Sequence, residues 1–147
     1  MSMSVLNCHH ASAMEQLHKL AFDRPWSESD FQTFLALPSY QAFGWLSSEH
    51  ELIAFCLFNT VFPDVELCTI CVNPKHQQQG IARKLMLEAL KKFEDFDSCF
   101  LEVSEINSRA IALYSKLGFK DVGIRKNYYK LPNGSFENAT LMKLDLM

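Results

Sequence analysis

Between Val65 and Val103 the chain spells a strand, a helix and a second strand, and no other stretch limits the fold so tightly. Val65 to Val72 reads as the first strand. After Pro74, residues Ala82, Leu85, Met86, Ala89, Leu90 and Phe93 recur at helical spacing, with Arg83, Lys84, Glu88, Lys91 and Lys92 off the stripe. Ser98 to Val103 follows as a strand whose apolar residues run on rather than alternate, the pattern of burial on both faces. Two strands joined through a crossover helix demand a parallel pair, because only a long connection brings the chain back to the same end of a sheet.

Around this unit the remaining segments predict antiparallel strands. Tyr40 to Leu46, Glu51 to Asn59 and Val65 to Val72 are separated by the short turn-like segments Ser47 to His50 and Phe62 to Asp64, so they form hairpins. Lys120 to Tyr129 and Glu137 to Leu146 are two long strands joined through Leu131-Pro132-Asn133-Gly134. A first short strand is expected at Ser4 to Cys8, then a helix carrying Met14, Leu17 and Ala21. After the break at Arg24-Pro25-Trp26, a second helix is capped by Ser27 with Asp30 three residues on. Ala110, Leu113, Tyr114 and Leu117 mark a last helix, stopped by Gly118, with Phe119 placed to fold back on its final turn. The expected fold is α/β: a mixed, mostly antiparallel sheet of six or seven strands with a central parallel pair and about four helices over both faces. The 147 residues are expected to form one domain, residues 1–147, without a linker.

Composition removes several classes of function. Hydrophobic residues make up 48% and charged residues 21%, which disfavours disorder and fibres, and a net charge of −3 argues against nucleic acid as a direct partner. The longest apolar run, Leu52 to Phe58, is far short of a membrane span, and MSMSVLNCHH lacks the pattern of a secretory leader, so a cytoplasmic protein with no membrane contact is expected. Five cysteines without framework spacing fit reduced thiols.

The junction before the central helix, Gln77-Gln78-Gln79-Gly80-Ile81-Ala82-Arg83-Lys84, carries the chemistry. A helix N-terminus leaves about four amide N–H groups without partners, and small residues let an anion reach them. Gly80 and Ala82 supply that access. Neither the Gly-Lys-Ser/Thr ending of a nucleotide loop nor G-x-G-x-x-G is present. From spacing alone, a glycine easing a tight turn explains the stretch equally well.

The segment ICVNPKHQQQGIARKLM matches the Q/R-x-x-G-x-G/A pattern, with its preceding strand, of the GCN5-related N-acetyltransferases, the GNAT family. FLEVSEINSRAIALYSKLGFKDVGIRKNYY resembles the second half of that fold, and with RPWSESDF it is especially similar to the bacterial ribosomal-protein-alanine N-acetyltransferases. The likeness spans nearly the whole chain. It implies acetyl-CoA as donor, with no metal, and the splaying of the parallel strands around the donor. The donor's pyrophosphate would lie against the amides of Gln77, Gln78, Gln79, Gly80, Ile81 and Ala82, its pantetheine arm along Ile70, Cys71 and Val72, and Asn107 would touch it before the next helix. His76, Gln78 and Gln79 stand where relatives are often aromatic or basic, which implies a weaker electrostatic hold.

The resemblance also gives roles to two residues that acyl transfer needs. Glu102 becomes the general base, at the end of an apolar strand where desolvation would raise its pKa, and Tyr114 the acid that protonates the departing sulfur. Without the resemblance Glu102 reads as an edge or salt-bridged carboxylate and Tyr114 as a core tyrosine. Arg125, Asn127, Tyr128 and Tyr129 resemble an acceptor-groove segment, and Trp26 is expected as a packing anchor at the acceptor entrance. The implied acceptor is a protein N-terminus, that of an alanine-starting small-subunit ribosomal protein, and the implied assembly is a monomer or weak dimer. A lysine or small-amine acetyltransferase, and an inert acetyl-CoA-binding module, are the competing readings. Cys68 and Cys71 spell C-x-x-C, but strict strand alternation sets them on opposite faces, and His9, His10, His18, His50 and His76 lack metal spacing and read as surface or capping residues.

Overall fold

The computed structural model describes residues 2–146. Seven strands form a single sheet, β1 (Ser2–Leu6), β2 (Tyr40–Leu46), β3 (Leu52–Val61), β4 (Asp64–Val72), β5 (Ser98–Ser104), β6 (Lys120–Lys130) and β7 (Phe136–Asp145), in the order β1-β2-β3-β4-β5-β7-β6. Every neighbouring pair is antiparallel except β4 and β5. The helices are α1 (Ala11–Ala21), α2 (Glu28–Leu35), α3 (Ile81–Leu90) and α4 (Ser108–Lys116).

Two apolar clusters sandwich the sheet. Met14 and Leu17 of α1 and Phe31 of α2 pack with Phe55 and Leu57 of β3 on one face. Leu85, Met86 and Ala89 of α3, Phe93 beyond it and Tyr114 of α4 pack with Ile53, Cys56 and Phe58 on the other. Alternation from Ala54 to Phe58 sends side chains to the two faces in turn, and a bulge at Ile53, where Trp45 pairs with Ala54 and Leu46 with Leu52, sets that residue in the second cluster, so Ile53 to Phe58 are all buried. Truncating one of the fully buried phenylalanines, such as Phe55 or Phe58, would cost about 3–5 kcal/mol.

Three expectations are corrected. The first strand ends at Leu6, two residues before the expected Cys8, because Asn7 caps a 3-10 turn over Cys8–His10: its Oδ1 accepts from His9 N–H at 2.9 Å, while its own N–H donates to His10 Nδ1 at 3.0 Å. β5 is not buried on both faces; Cys99, Leu101 and Val103 are buried, whereas Glu102 and Ser104 are half-exposed. Finally, Cys68 and Cys71 do not face opposite sides. Leu57 pairs with Thr69 and Phe58 with Leu67, so Cys68 is an extra residue in β4, and this bulge brings both cysteines against the α1–α2 cluster. Burial pushes the Cys68 thiol up to about 12 and Cys71 higher still. Among the described residues no three His, Cys, Asp or Glu side chains cluster as metal ligands, and no helix is long and apolar enough to cross a membrane.

Candidate active site

The bulge at Cys68 and the opening of the sheet coincide. β4 and β5 pair only at Asp64–Ser98, Val65–Cys99 and Glu66–Phe100; beyond this they no longer pair with each other, although β4 stays paired with β3 and β5 with β7. A bulge bends its strand, which ends the ladder here. Between the separated ends lies a cleft of about 970 Å³, lined by Cys68 to Val72 on one side and Glu102 to Ser104 on the other. The splayed parallel pair is thus formed by an irregularity invisible to a periodic reading.

At one end of the cleft the predicted junction takes the conformation its residues allow. Gly80 is the N-cap of α3 with φ 75°, the left-handed region, and Gln78 also has a positive φ of 64°. A Cβ on Gly80 would meet nothing within 4 Å, so glycine serves the backbone conformation rather than relieving a clash. No side chain caps α3, and the first intrahelical bond runs from Lys84 N–H to Gly80 O at 3.1 Å. The earlier amides are left for a ligand. Gln77, Gln78, Gly80, Ile81 and Ala82 line the cleft, as do Ile70, Cys71, Val72 and Asn107, whereas Gln79 is outside the lining. Asn107 also caps α4, its Oδ1 accepting from Ala110 N–H at 3.2 Å. Arg83, Arg109 and Lys116 line the cleft as well. These cations were missed in the sequence, although Arg109 sits in the first turn after the recognised Asn107.

Tyr114 and Glu102 both line the cleft. Tyr114 is held by the end of its own helix: Gly118, at φ 102°, lets Phe119 N–H reach Tyr114 O at 3.0 Å and Gly118 N–H reach Ser115 O at 3.1 Å, a paired C-terminal stop. The Phe119 ring meets the Tyr114 ring edge-on at 5.8 Å. Burial, and then the neighbouring Tyr129, Cys99 and Cys56, push the Tyr114 hydroxyl far above its ordinary value, so it keeps its proton. Glu102 is not the desolvated carboxylate that was expected. Its side chain is 24% exposed, and Arg125 Nη1 lies 3.1 Å from Oε1. On the facing strand the Glu66 carboxyl, although exposed, is raised first by partial loss of solvent and then by the Glu102 charge.

The predicted acceptor segment surrounds this carboxylate without all of it reaching the cleft. Tyr129 lines it, while Arg125, Asn127 and Tyr128 do not. Arg125 stacks over the Tyr128 ring at 4.8 Å, and Asn127, at φ 54°, donates its N–H to Asn138 Oδ1 at 3.0 Å across a wide bulge between Arg125 and Tyr129. Trp26 also stands outside the lining, stacked on His18 at 5.1 Å, and His18 stacks on Phe22 at 4.3 Å, which does line the cleft. His18, expected at the surface or in a cap, is instead buried, with Nδ1 accepting from Trp26 N–H at 3.0 Å and Nε2 3.2 Å from Thr69 Oγ1. Since Nδ1 accepts, Nε2 carries the proton and donates to Thr69. The ring ties the α1–α2 connection to the bulged strand, and its position on α1, next to the apolar Leu17, was the available signal. Glu137 and Ser104 were missed altogether; both line the cleft and hydrogen-bond each other.

Known proteins share both the sequence and the architecture. The [ribosomal protein bS18]-alanine N-acetyltransferase of Escherichia coli K12 is 32% identical over 147 residues, covering 99% of this chain and 97% of that protein. A crystal structure of the ribosomal-protein-S18-alanine N-acetyltransferase from Escherichia coli superposes with a TM-score of 0.91 at 31% identity, covering 99% of this chain and 93% of the other. Arabidopsis thaliana NAA60 in complex with acetyl-CoA shares the fold at 20% identity, with a TM-score of 0.85 over 98% and 97% of the two chains. Residues 11–119 match the Acetyltransferase (GNAT) family. With a family match over most of its length and a full-length relative above 30% identity, the chain belongs to the GNAT family of acetyltransferases.

Proposed function

We propose that this protein transfers the acetyl group of acetyl-CoA to the N-terminal α-amine of a protein, an alanine-starting small-subunit ribosomal protein of the S18 type, directly within a ternary complex and in the cytoplasm. The observation that carries this reading is that one cleft joins an uncapped helix N-terminus to a carboxylate, Glu102, and a phenol that keeps its proton, Tyr114. The name carried by the Escherichia coli relative supports the acceptor.

The residues present suit the donor. The amides around Gly80 and Ala82 would receive its pyrophosphate, with Arg83, Arg109 and Lys116 adding positive charge, and the stretch Ile70 to Val72, paired with β3 but open on the side of β5, would take the arm that carries the acetyl thioester. Glu102 takes a proton from the acceptor's ammonium, directly or through water, so that the nitrogen lone pair can attack the thioester carbon. Tyr114 gives its proton to the sulfur as the carbon–sulfur bond breaks, and the second proton shed by the nitrogen as the amide forms restores the phenol. Tyr129, with Arg125, Asn127 and Tyr128 behind it, and the Phe22 wall backed by Trp26, frame the acceptor's approach.

An α-amine suits so accessible a base. With a pKa near 8 it is about ten per cent neutral at pH 7, whereas a lysine near 10.4 is neutral in fewer than about one molecule in a thousand. The test uses an alanine-starting peptide with a free α-amine and the same peptide with that amine blocked. Turnover of the free peptide alone supports the reading, and equal rates refute it.

A further inference from the structure

Beside Glu102 the sheet presents another carboxylate to the cleft, with one oxygen to spare. Glu137 stands in β7 opposite Tyr129 of β6 and reaches β5, where its Oε1 accepts a hydrogen bond from the Ser104 hydroxyl. Its Oε2 is shut off from solvent and has no hydrogen-bond partner among the described residues. A buried carboxylate oxygen without a donor is rare in folded proteins and marks a place where a ligand's donor belongs. The residue lines the cleft.

Register places it beside the reacting centre. Glu102 pairs with Leu141 and Ser104 with Ala139, so Glu102, Ser104, Ala139 and Leu141 share one face, and Glu137 joins that face two residues further along β7, diagonal to Ser104. The Tyr129 hydroxyl is raised by desolvation first, then by Tyr128, Glu102 and Glu137, so its ring stands near both carboxylates. The two carboxylates are otherwise unlike. Both oxygens of Glu102 are engaged by Arg125, at 3.1 and 3.3 Å, while Glu137 has only its neutral Ser104 partner. Of the other acidic side chains nearby, Glu66 lies outside the cleft lining, and Asp23 lines it from the connection that follows α1 rather than from the sheet. On the sheet face beside Glu102, an arriving ammonium therefore finds an uncommitted acceptor at Glu137.

We propose that Glu137 is the residue that receives the acceptor's ammonium group, a turn of the carboxylate about its Ser104 hydrogen bond opening Oε2 to the cleft, and so presents its proton to Glu102. This rests on the reading of the cleft as the acceptor site of an N-acetyltransferase. Glu137 then contributes to binding the amine and not to proton removal.

The experiment compares an alanine-starting peptide with its desamino analogue, identical but for hydrogen in place of the α-amine. In Glu137→Gln the acceptor KM is expected to rise about 10- to 100-fold, the loss of a charged hydrogen bond. The kcat, the acetyl-CoA KM and the inhibition constant of the desamino analogue should stay within about twofold of wild type. Glu137→Asp, which keeps the charge but shortens its reach, should show a smaller rise with the same selectivity for the amine, and it stands in if Glu137→Gln does not fold. Equal weakening of both peptides, no weakening of either, or a fall confined to kcat overturns the inference. A wild-type enzyme that leaves the amine peptide unmodified refutes the functional reading as well, whereas a wild type that acetylates it and a variant that keeps its acceptor KM refute the role of Glu137 alone.

Discussion

Arg125 Nη1 approaches Glu102 to 3.1 Å at Oε1 and 3.3 Å at Oε2, linking an edge strand of the sheet to the strand that carries the expected base. The arginine side chain is 53% exposed and the glutamate 24%, so the pair is worth no more than about 1 kcal/mol to folding. Arg125→Ala should lower the melting temperature by at most about 4 °C, which thermal unfolding measures. The acceptor KM should nevertheless rise, because the segment through Tyr129 loses its tie to β5. A larger thermal loss with an unchanged acceptor KM would make Arg125 a structural residue only.

Tyr114→Phe keeps the ring that packs on Phe119 and removes the proton. The kcat should fall by roughly 100- to 10,000-fold, the usual worth of a general acid, with acetyl-CoA binding and melting temperature little changed. Steady-state kinetics alongside calorimetric titration of the donor separates the two effects, and a kcat within threefold of wild type contradicts the role.

Gly80→Ala forces a side chain into the left-handed region without any steric contact, so its cost is confined to the backbone, roughly 1–2 kcal/mol. Relaxation of that strain turns the amides ahead of α3. The dissociation constant for acetyl-CoA should rise about 5- to 30-fold while the acceptor KM stays put. Unchanged donor affinity would show that the ligand does not depend on this turn.

His18 gives the fold a sensitivity to acid. Burial lowers its pKa to about 4 from 6.5, so below pH 6.5 the unfolded chain binds the proton and the folded chain does not. Stability from this group is complete above pH 6.5 and is lost as the pH falls toward 4, on the order of 3 kcal/mol in all. Unfolding midpoints measured from pH 7 to pH 4.5 should fall more steeply for wild type than for His18→Gln, which has nothing to titrate there. Parallel curves would place the acid sensitivity elsewhere.

Much of this architecture is legible in the sequence, because β2, β3 and α3 carry strong periodic patterns and the crossover between β4 and β5 permits only a parallel pair. The capping box of Ser27 and Asp30 and the glycine stop at Gly118 also appear where their chemistry places them, since caps are local. What the sequence conceals is non-local. The bulge at Cys68 depends on how β4 meets β3, and it coincides with the place where the sheet opens and sets which way the two cysteines face. His18 reads as polar and is buried because four aromatic rings gather round it, Phe22 and Trp26 from the connection between α1 and α2, Phe31 from α2 and Phe55 from β3. Glu102 looked desolvated because its strand is apolar, but its partner Arg125 comes from a strand more than twenty residues away. Glu137 gave no signal, for a carboxylate in a polar, alternating strand is ordinary until its neighbours are known.

The most direct measurement maps the acetyl group on one peptide that carries both a free N-terminal alanine and an internal lysine, after incubation with acetyl-CoA and either wild-type protein or Glu102→Gln. Fragmentation by tandem mass spectrometry should find the label on the α-amine alone with wild type, and a drop of roughly 100-fold or more in its rate with the variant. Label on the lysine side chain, or equal labelling by both proteins, would contradict the account.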